Sequence, residues 1–151
     1  MSDTDVNLIY HIVFSTKNRE PFLTKSHQPQ LHDVVGGIVH NRGGISLGVN
    51  GTADHVHVLA KLRQDKAVSD VIRDFKAGAR WWLHDVFPDL QDFSWQRGYG
   101  AFIVSASHID DVRRYIANQK IRHREQSFKD EFIKLLQPSD IKYDEKYLFT
   151  S

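Results

Sequence analysis

The amino-acid sequence predicts an α+β domain of the split βαβ kind, with an antiparallel sheet and helices on one face. Three observations predict it. Strand-like and helix-like segments follow in the order strand, helix, strand, strand, helix, strand, helix, helix. The segment from 53 to 62 alternates between two faces with a period of two, and Val68 to Val86 carries an unbroken apolar stripe at helical period. The 151 residues suffice for one such domain, and no repeat, low-complexity tract or linker divides them, so residues 1–151 are expected to form a single domain.

Val6 to Phe14 has the β-branched and aromatic content of a strand and runs into the polar stretch Ser15-Thr16-Lys17-Asn18-Arg19-Glu20-Pro21, expected as a loop. From Pro29 to Asn41, Leu31, Val34, Val35 and Ile38 recur at helical spacing, with Pro29 tolerated in a first turn and Gly43-Gly44 as the stop. Ile45–Val49 and Ala53–Leu62 read as a hairpin joined at Asn50-Gly51, a favoured turn dipeptide. In the long helix the stripe is Val68, Val71, Ile72, Phe75, Ala79, Trp82, Leu83 and Val86, ended by Pro88. Arg73, Lys76 and Arg80 share one flank of it, about a quarter-turn from the stripe. Tyr99 to Ser105 reads as the last strand, Ser107-His108-Ile109-Asp110 as a capped helix start continued by Val112 and Ile116, and Phe128 to Leu136 as a final helix before Pro138. An aromatic tail follows at Tyr143, Tyr147 and Phe149.

Composition narrows the chemistry. Without cysteine there are no disulfides, thiolate zinc sites or cysteine nucleophiles, which suits a reducing cytoplasm, the expected location. The acidic, polar Met1-Ser2-Asp3-Thr4-Asp5 does not read as a signal peptide, and no apolar run is long enough to span a bilayer. The net charge of +1 is uninformative, but Lys17, Arg19, Arg73, Lys76, Arg80, Arg97, Arg113, Arg114, Lys120, Arg122 and Arg124 recur around the site elements.

The candidate site lies in Asp54-His55-Val56-His57-Val58-Leu59 together with Tyr115 and Gln119. Residues two apart on a strand share a face, so His55 and His57 project together while Val56, Val58, Ala60 and Leu62 take the core-facing parity, leaving the histidine face uncovered. Residues four apart on a helix are stacked, so Tyr115 and Gln119 also project together. Asp54 has the other parity and reads as a turn residue or a partner to a histidine. Two imidazoles and one amide oxygen leave positions open on an octahedral ion, which suits Mg²⁺ or Mn²⁺ shared with a phosphate oxygen. The plain alternative is two partly exposed histidines and two boundary residues of an amphipathic helix.

The sequence resembles the HUH-type single-tyrosine transposases of the smallest bacterial insertion sequences and their relatives associated with repetitive extragenic palindromes. The resemblance rests on Tyr10-His11-Ile12-Val13-Phe14 leading to Lys17 and Arg19, Asp54 to Leu59, Val68-Ser69-Asp70 with Arg73 and Lys76, Trp95 with Gly98 to Phe102, Tyr115-Ile116 through Gln119, and Tyr143-Asp144-Glu145. Arg122-His123 stands where a histidine pair often follows the glutamine, and Ala53 where a proline is frequent. The resemblance implies a ferredoxin-like fold of HUH endonuclease type and metal-dependent cleavage and rejoining of hairpin-bearing single-stranded DNA through a 5′-phosphotyrosine. Tyr115 would be the nucleophile and His55, His57 and Gln119 would hold Mg²⁺ or Mn²⁺. Lys17, Arg19, Arg73, Lys76, Arg80, Arg113 and Arg114 would contact DNA, with Trp81, Trp82 and Trp95 in the neighbourhood of Arg73, Lys76 and Arg80. It also implies a homodimer, with the tyrosine in cis or in trans.

Two other readings stand beside it: a non-catalytic ferredoxin-like nucleic-acid-binding module, and a replication or conjugation nickase sharing the HUH core, which the lack of accessory regions at this length disfavours. A cyclic phosphodiesterase would carry two histidine motifs, and only one is present, which disfavours that reading.

Overall fold

The computed structural model describes residues 8–119 and 127–136. Four strands, β1 (Ile9–Ser15), β2 (Ile45–Gly51), β3 (His55–Lys61) and β4 (Gly100–Ile103), form one antiparallel sheet in the order β2-β3-β1-β4. The helices are α1 (Gln28–Asn41), α2 (Val68–Val86), α3 (Ile109–Ala117) and α4 (Phe128–Leu136). The predicted α+β class and split βαβ order hold. Lys120, Arg122, His123, Arg124 and the residues from 143 onward singled out above lie outside the described residues.

Strand parity divides the core. Ile12 and Phe14 of β1 and Val56, Val58 and Ala60 of β3 face α1 and α2, meeting Leu31, Val35 and Val39 from the first and Val71, Ile72, Phe75, Ala79 and Leu83 from the second. The opposite parity, Ile9 and Leu59, packs under Ile109, Val112, Tyr115 and Ile116, while Val13 packs under Phe132 of α4. The expectation of helices on one face therefore holds for α1 and α2 only. α3 and α4 cover the other face, because Ile116 and Phe132 give each short helix an apolar anchor to bury there. Gly100 permits that approach: a Cβ at this position would sit 2.6 Å from the Phe132 ring.

Two local expectations shift. Asn50 and Gly51 remain in β2, paired with His57 and Val56, and the hairpin turns at 52–54, closed by Thr52 N–H donating to the His55 carbonyl at 3.1 Å. Gly51 is required by close approach, since a Cβ there would lie 2.2 Å from the His55 carbonyl oxygen. At the start of α3 the capping position falls to His108 rather than Ser107, with no side-chain cap bond.

Candidate active site

His55 and His57 point together toward α3 and α4, as their parity predicts, but their face is covered: both are fully buried. Each ring is fixed from behind. Asp54 Oδ1 lies 2.8 Å and Thr52 Oγ1 2.9 Å from His55 Nδ1, and Thr52 also donates to Asp54 at 3.0 Å. A carboxylate only accepts, so Nδ1 carries a hydrogen toward Asp54 and Nε2 is the nitrogen turned to the interior. Behind His57 is a residue given no role from the sequence: His11 Nε2 lies 2.8 Å from His57 Nδ1, with the rings stacked at 5.0 Å. Burial foremost, then the charge His57 can carry, pushes the His11 pKa down to about 3, so its ring is neutral at physiological pH.

Tyr115 and Gln119 reach the same centre by a route other than simple helical stacking. α3 ends at Ala117 with Asn118 as its cap, so Gln119 stands just beyond the helix. Asn50 of β2 holds that end in place, donating from Nδ2 to the carbonyls of Ile116 at 2.9 Å and Ala117 at 3.3 Å. A side-chain donor on the carbonyls of a helix's last turn fixes where the chain turns. Gln119 is then fully buried, with Oε1 3.0 Å from His55 Nε2. The Tyr115 ring lies 5.8 Å from that of His57 in the same chain.

The centre holds one further group that the sequence reading missed. Glu131 of α4 is 1% exposed. Its Oε1 lies 3.1 Å from His57 Nε2 and 3.6 Å from His55 Nε2, while its Oε2 accepts from Gln119 Nε2 at 3.1 Å and from the Tyr115 hydroxyl. The available signal was an acid on the apolar side of a helix: Glu131 follows Phe128 by three residues and precedes Leu135 by four.

The arrangement fits a divalent ion. One ligand atom from each of His55, His57 and Glu131 lies within 4.8 Å of the others. Neighbouring ligands of an ion with ~2.1 Å bonds are about 3.0 Å apart. The 3.0 and 3.1 Å separations match that edge, and the 3.6 Å one needs a small adjustment. The donor chemistry agrees. Because Gln119 spends its amide hydrogens on Tyr115 O and Glu131, its Oε1 is the atom turned to His55 Nε2, so oxygen and imidazole-nitrogen donors of the kind a divalent ion takes meet at one point. Gln119 Oε1 lies beside this group of two histidines and Glu131.

The basic residues are spread more widely. Lys17, Arg19, Arg73, Arg80, Arg113 and Arg114 are exposed; Arg73 lies 3.4 Å from Asp70, and Arg114 pairs with Asp111. Lys76 differs, because its Nζ donates to the carbonyls of Gln96 at 3.0 Å and Gly98 at 2.8 Å, and burial lowers its pKa to about 8. Trp82 packs against the core, Trp95 is half-buried against Phe14 and Phe93, and Trp81 is 78% exposed. Among the described residues no helix is long and apolar enough to cross a membrane.

Comparison with known proteins follows the same lines. Residues 4–119, a span that includes His55, His57, Tyr115 and Gln119 but not Glu131, match a family model described as transposase IS200 like. A solved structure from Deinococcus radiodurans R1, assigned as a transposase, is similar with a TM-score of 0.66 and 22% identity, covering 79% of this chain and 95% of that one. A REP-associated tyrosine transposase bound to a REP hairpin is similar with a TM-score of 0.60 and 16% identity, covering 82% of this chain and 74% of that one. At these identities the two structures establish a shared fold. No curated protein matches the chain.

Proposed function

The chain belongs to the IS200-like transposase family, and from that premise we propose that it cleaves and rejoins single-stranded, hairpin-bearing DNA in the cytoplasm through a covalent 5′-phosphotyrosine at Tyr115. One observation carries the reading: the Tyr115 hydroxyl, the imidazoles of His55 and His57 and the amide of Gln119 converge on a single buried carboxylate. A nucleic-acid-binding module has no use for that convergence, which buries ionisable groups at a cost. The hairpin in the similar REP-associated structure supports the choice of DNA form.

A free phenol has a pKa near ~10, so on the order of one in a thousand is ionised at neutral pH and attack on a phosphodiester needs a proton acceptor. Glu131 Oε2 already accepts the Tyr115 hydrogen bond and takes that proton as the phenolic oxygen bonds to phosphorus. The P–O3′ bond breaks, the departing O3′ takes a proton from solvent so that the leaving strand ends in a 3′ hydroxyl, and the 5′ phosphate stays on Tyr115. Attack by a 3′ hydroxyl reverses the exchange and reseals DNA without ATP. His55, His57 and Gln119, with Glu131 Oε1, would hold Mg²⁺ or Mn²⁺, which when bound supplies Lewis-acid polarisation of the scissile phosphate. Asp54, Thr52 and His11 keep the ring nitrogens aimed. Lys17, Arg19, Arg73, Arg80, Arg113 and Arg114 contact DNA phosphates, whereas Lys76 holds the 96–98 segment that borders them.

The direct test is incubation with hairpin-bearing strands and Mn²⁺, followed by a denaturing gel. A protein–DNA adduct resistant to denaturation is expected, and binding without any adduct would favour the non-catalytic module. Glu131→Gln keeps the shape but loses the proton acceptor, and is expected to slow cleavage by about 10²- to 10⁴-fold. Cleavage by this variant that regains speed as pH rises toward the phenol pKa would identify the lost step as proton removal.

Assembly belongs to the same proposal. A homodimer is expected by sedimentation at micromolar concentration, as closed two-fold pairs are the commonest assemblies. Mixing a Tyr115→Phe chain with a His57→Ala chain decides how the site is built. Regained cleavage in a verified heterodimer means that α3 is exchanged between subunits, and continued inactivity means that Tyr115 serves the histidines of its own chain, as it faces them here.

A further inference from the structure

β1 ends in a turn whose backbone works against its residues. Asn18 and Arg19 both stand at φ 55°, in the left-handed region where the Cβ of an L-residue crowds the following carbonyl oxygen and glycine is the usual occupant. Asparagine is tolerated there through its short polar side chain, but arginine is not helped in this way. A glycine at position 19 would make the same turn without strain, so what the arginine adds is its side chain. Arg19 and Lys17 are both exposed.

A strained conformation of this kind persists only where its surroundings fix it. Arg19 N–H donates to the Thr16 carbonyl at 3.0 Å, Glu20 N–H to that of Lys17 at 3.1 Å, Lys17 N–H to that of Ser94 at 2.9 Å, and Asn18 N–H to Gln96 Oε1 at 3.0 Å. At the root of the turn is Thr16, fully buried. Its hydroxyl donates to the Glu20 carbonyl at 2.7 Å, with the Asp54 carbonyl a second acceptor at 3.2 Å, and its N–H donates to the same Asp54 carbonyl at 2.8 Å. Asp54 therefore holds the turn by its backbone and His55 Nδ1 by its carboxylate. Ser15, the residue before Thr16, is the cross-strand partner of His55. Such partners stand about 5 Å apart, so the turn opens at the His55 end of the sheet.

We propose that Thr16 is a positioning residue for the DNA strand: its hydroxyl keeps the turn in the left-handed form that presents Arg19 to a backbone phosphate, and its bond to Asp54 sets that contact in register with His55. The inference rests on the transposase reading and adds to it the residue that fixes where the strand lies relative to the cleavage chemistry. A phosphate is the ligand because the guanidinium fork matches its oxygens, and because phosphate contacts are the ones that fix the register of a strand on a protein. A turn already locked in place spares the ordering cost of that contact.

The experiment measures affinity for a hairpin-bearing strand as salt is varied, with a thermal melt on the same preparations. The proteins are the parent, Arg19→Gly, Thr16→Val, Thr16→Ser and the double variant of Thr16→Val with Arg19→Gly. Loss of one phosphate contact lowers the slope of log K against log salt by about 0.7–0.9, and hence the affinity at about 0.15 M salt by about 4- to 6-fold. Arg19→Gly should show both losses while its melting temperature stays level or rises by up to about 4 °C as the strain is relieved. A side chain that served only the fold would lower the melting temperature instead.

Thr16→Val keeps the side-chain shape and the N–H bond to Asp54, and the Glu20 carbonyl keeps the Phe22 N–H at 2.8 Å. It should therefore fold, retain any rise in melting temperature that Mn²⁺ gives the parent, and show the same two losses as Arg19→Gly. Thr16→Ser should restore both, and the double variant should bind no more weakly than either single one. Additive losses in the double variant, or no rescue by serine, would overturn the positioning role, as would loss of the Mn²⁺ effect in Thr16→Val. A lowered melting temperature or an unchanged salt slope for Arg19→Gly would overturn the phosphate contact, and a parent that still forms the covalent adduct would keep the transposase reading intact. A parent with neither DNA binding nor adduct would overturn both.

Discussion

Tyr115→Phe is expected to abolish covalent attachment to DNA, lowering strand cleavage by on the order of a thousandfold or more while leaving hairpin binding within about twofold. The substitution removes one oxygen from a half-buried ring whose remaining contacts, to His11, His57 and the Ile9–Ile116 cluster, are made by carbon atoms. The lost hydrogen bond leaves Glu131 with Gln119 and His57 still in reach, so the stability cost should stay within about 1–2 kcal/mol. A gel for the phosphotyrosine adduct and a thermal melt on the same preparation separate the two effects. Undiminished cleavage by the folded Phe variant would remove Tyr115 from the nucleophile role and Glu131 from that of its proton acceptor.

The features legible in the sequence were those whose physics is local. α2 runs from Val68 to Val86 as read, because a nineteen-residue apolar stripe closed by Pro88 has one helical solution. The shared direction of His55 and His57 follows from strand parity, which tertiary contacts do not change. What covers that parity is non-local. α3 and α4 reach the histidine face through Ile116 and Phe132, and an isolated pair of short amphipathic segments carries no mark of the sheet face it will choose. Asn50 shows the same limit. Beside Gly51 it looks like a turn residue, yet it pairs with His57 and spends its side chain on the end of α3, a partner sixty-six residues away. Glu131 follows Asp130 in the first turn of α4, where acids are favoured by the helix dipole, and that local explanation hides the buried one.

His57→Ala is expected to be as damaging to cleavage as chelation of the parent with excess EDTA, each bringing activity close to the assay floor. Removing the imidazole that fills one ligand position also strips His11 and Glu131 of their partner in a fully buried site, so activity alone would not separate lost ligation from lost structure. A binding measurement does. Mn²⁺ at about a hundred times its dissociation constant should stabilise the folded parent by roughly 2.7 kcal/mol. For a chain of this size each kcal/mol raises the melting temperature by about 2–4 °C, so a rise of about 5–10 °C is expected. The His57→Ala chain should lose most of that increment while Lys17→Ala, on the exposed segment after β1, keeps it whole. Gln119→Ala should show a partial loss, since its oxygen is one donor of four around the same centre. Cleavage by the parent that is equally fast in EDTA, with no shift of melting temperature on adding Mn²⁺, would remove the ion from the reaction and leave Glu131 and the two imidazoles as a purely protonic site.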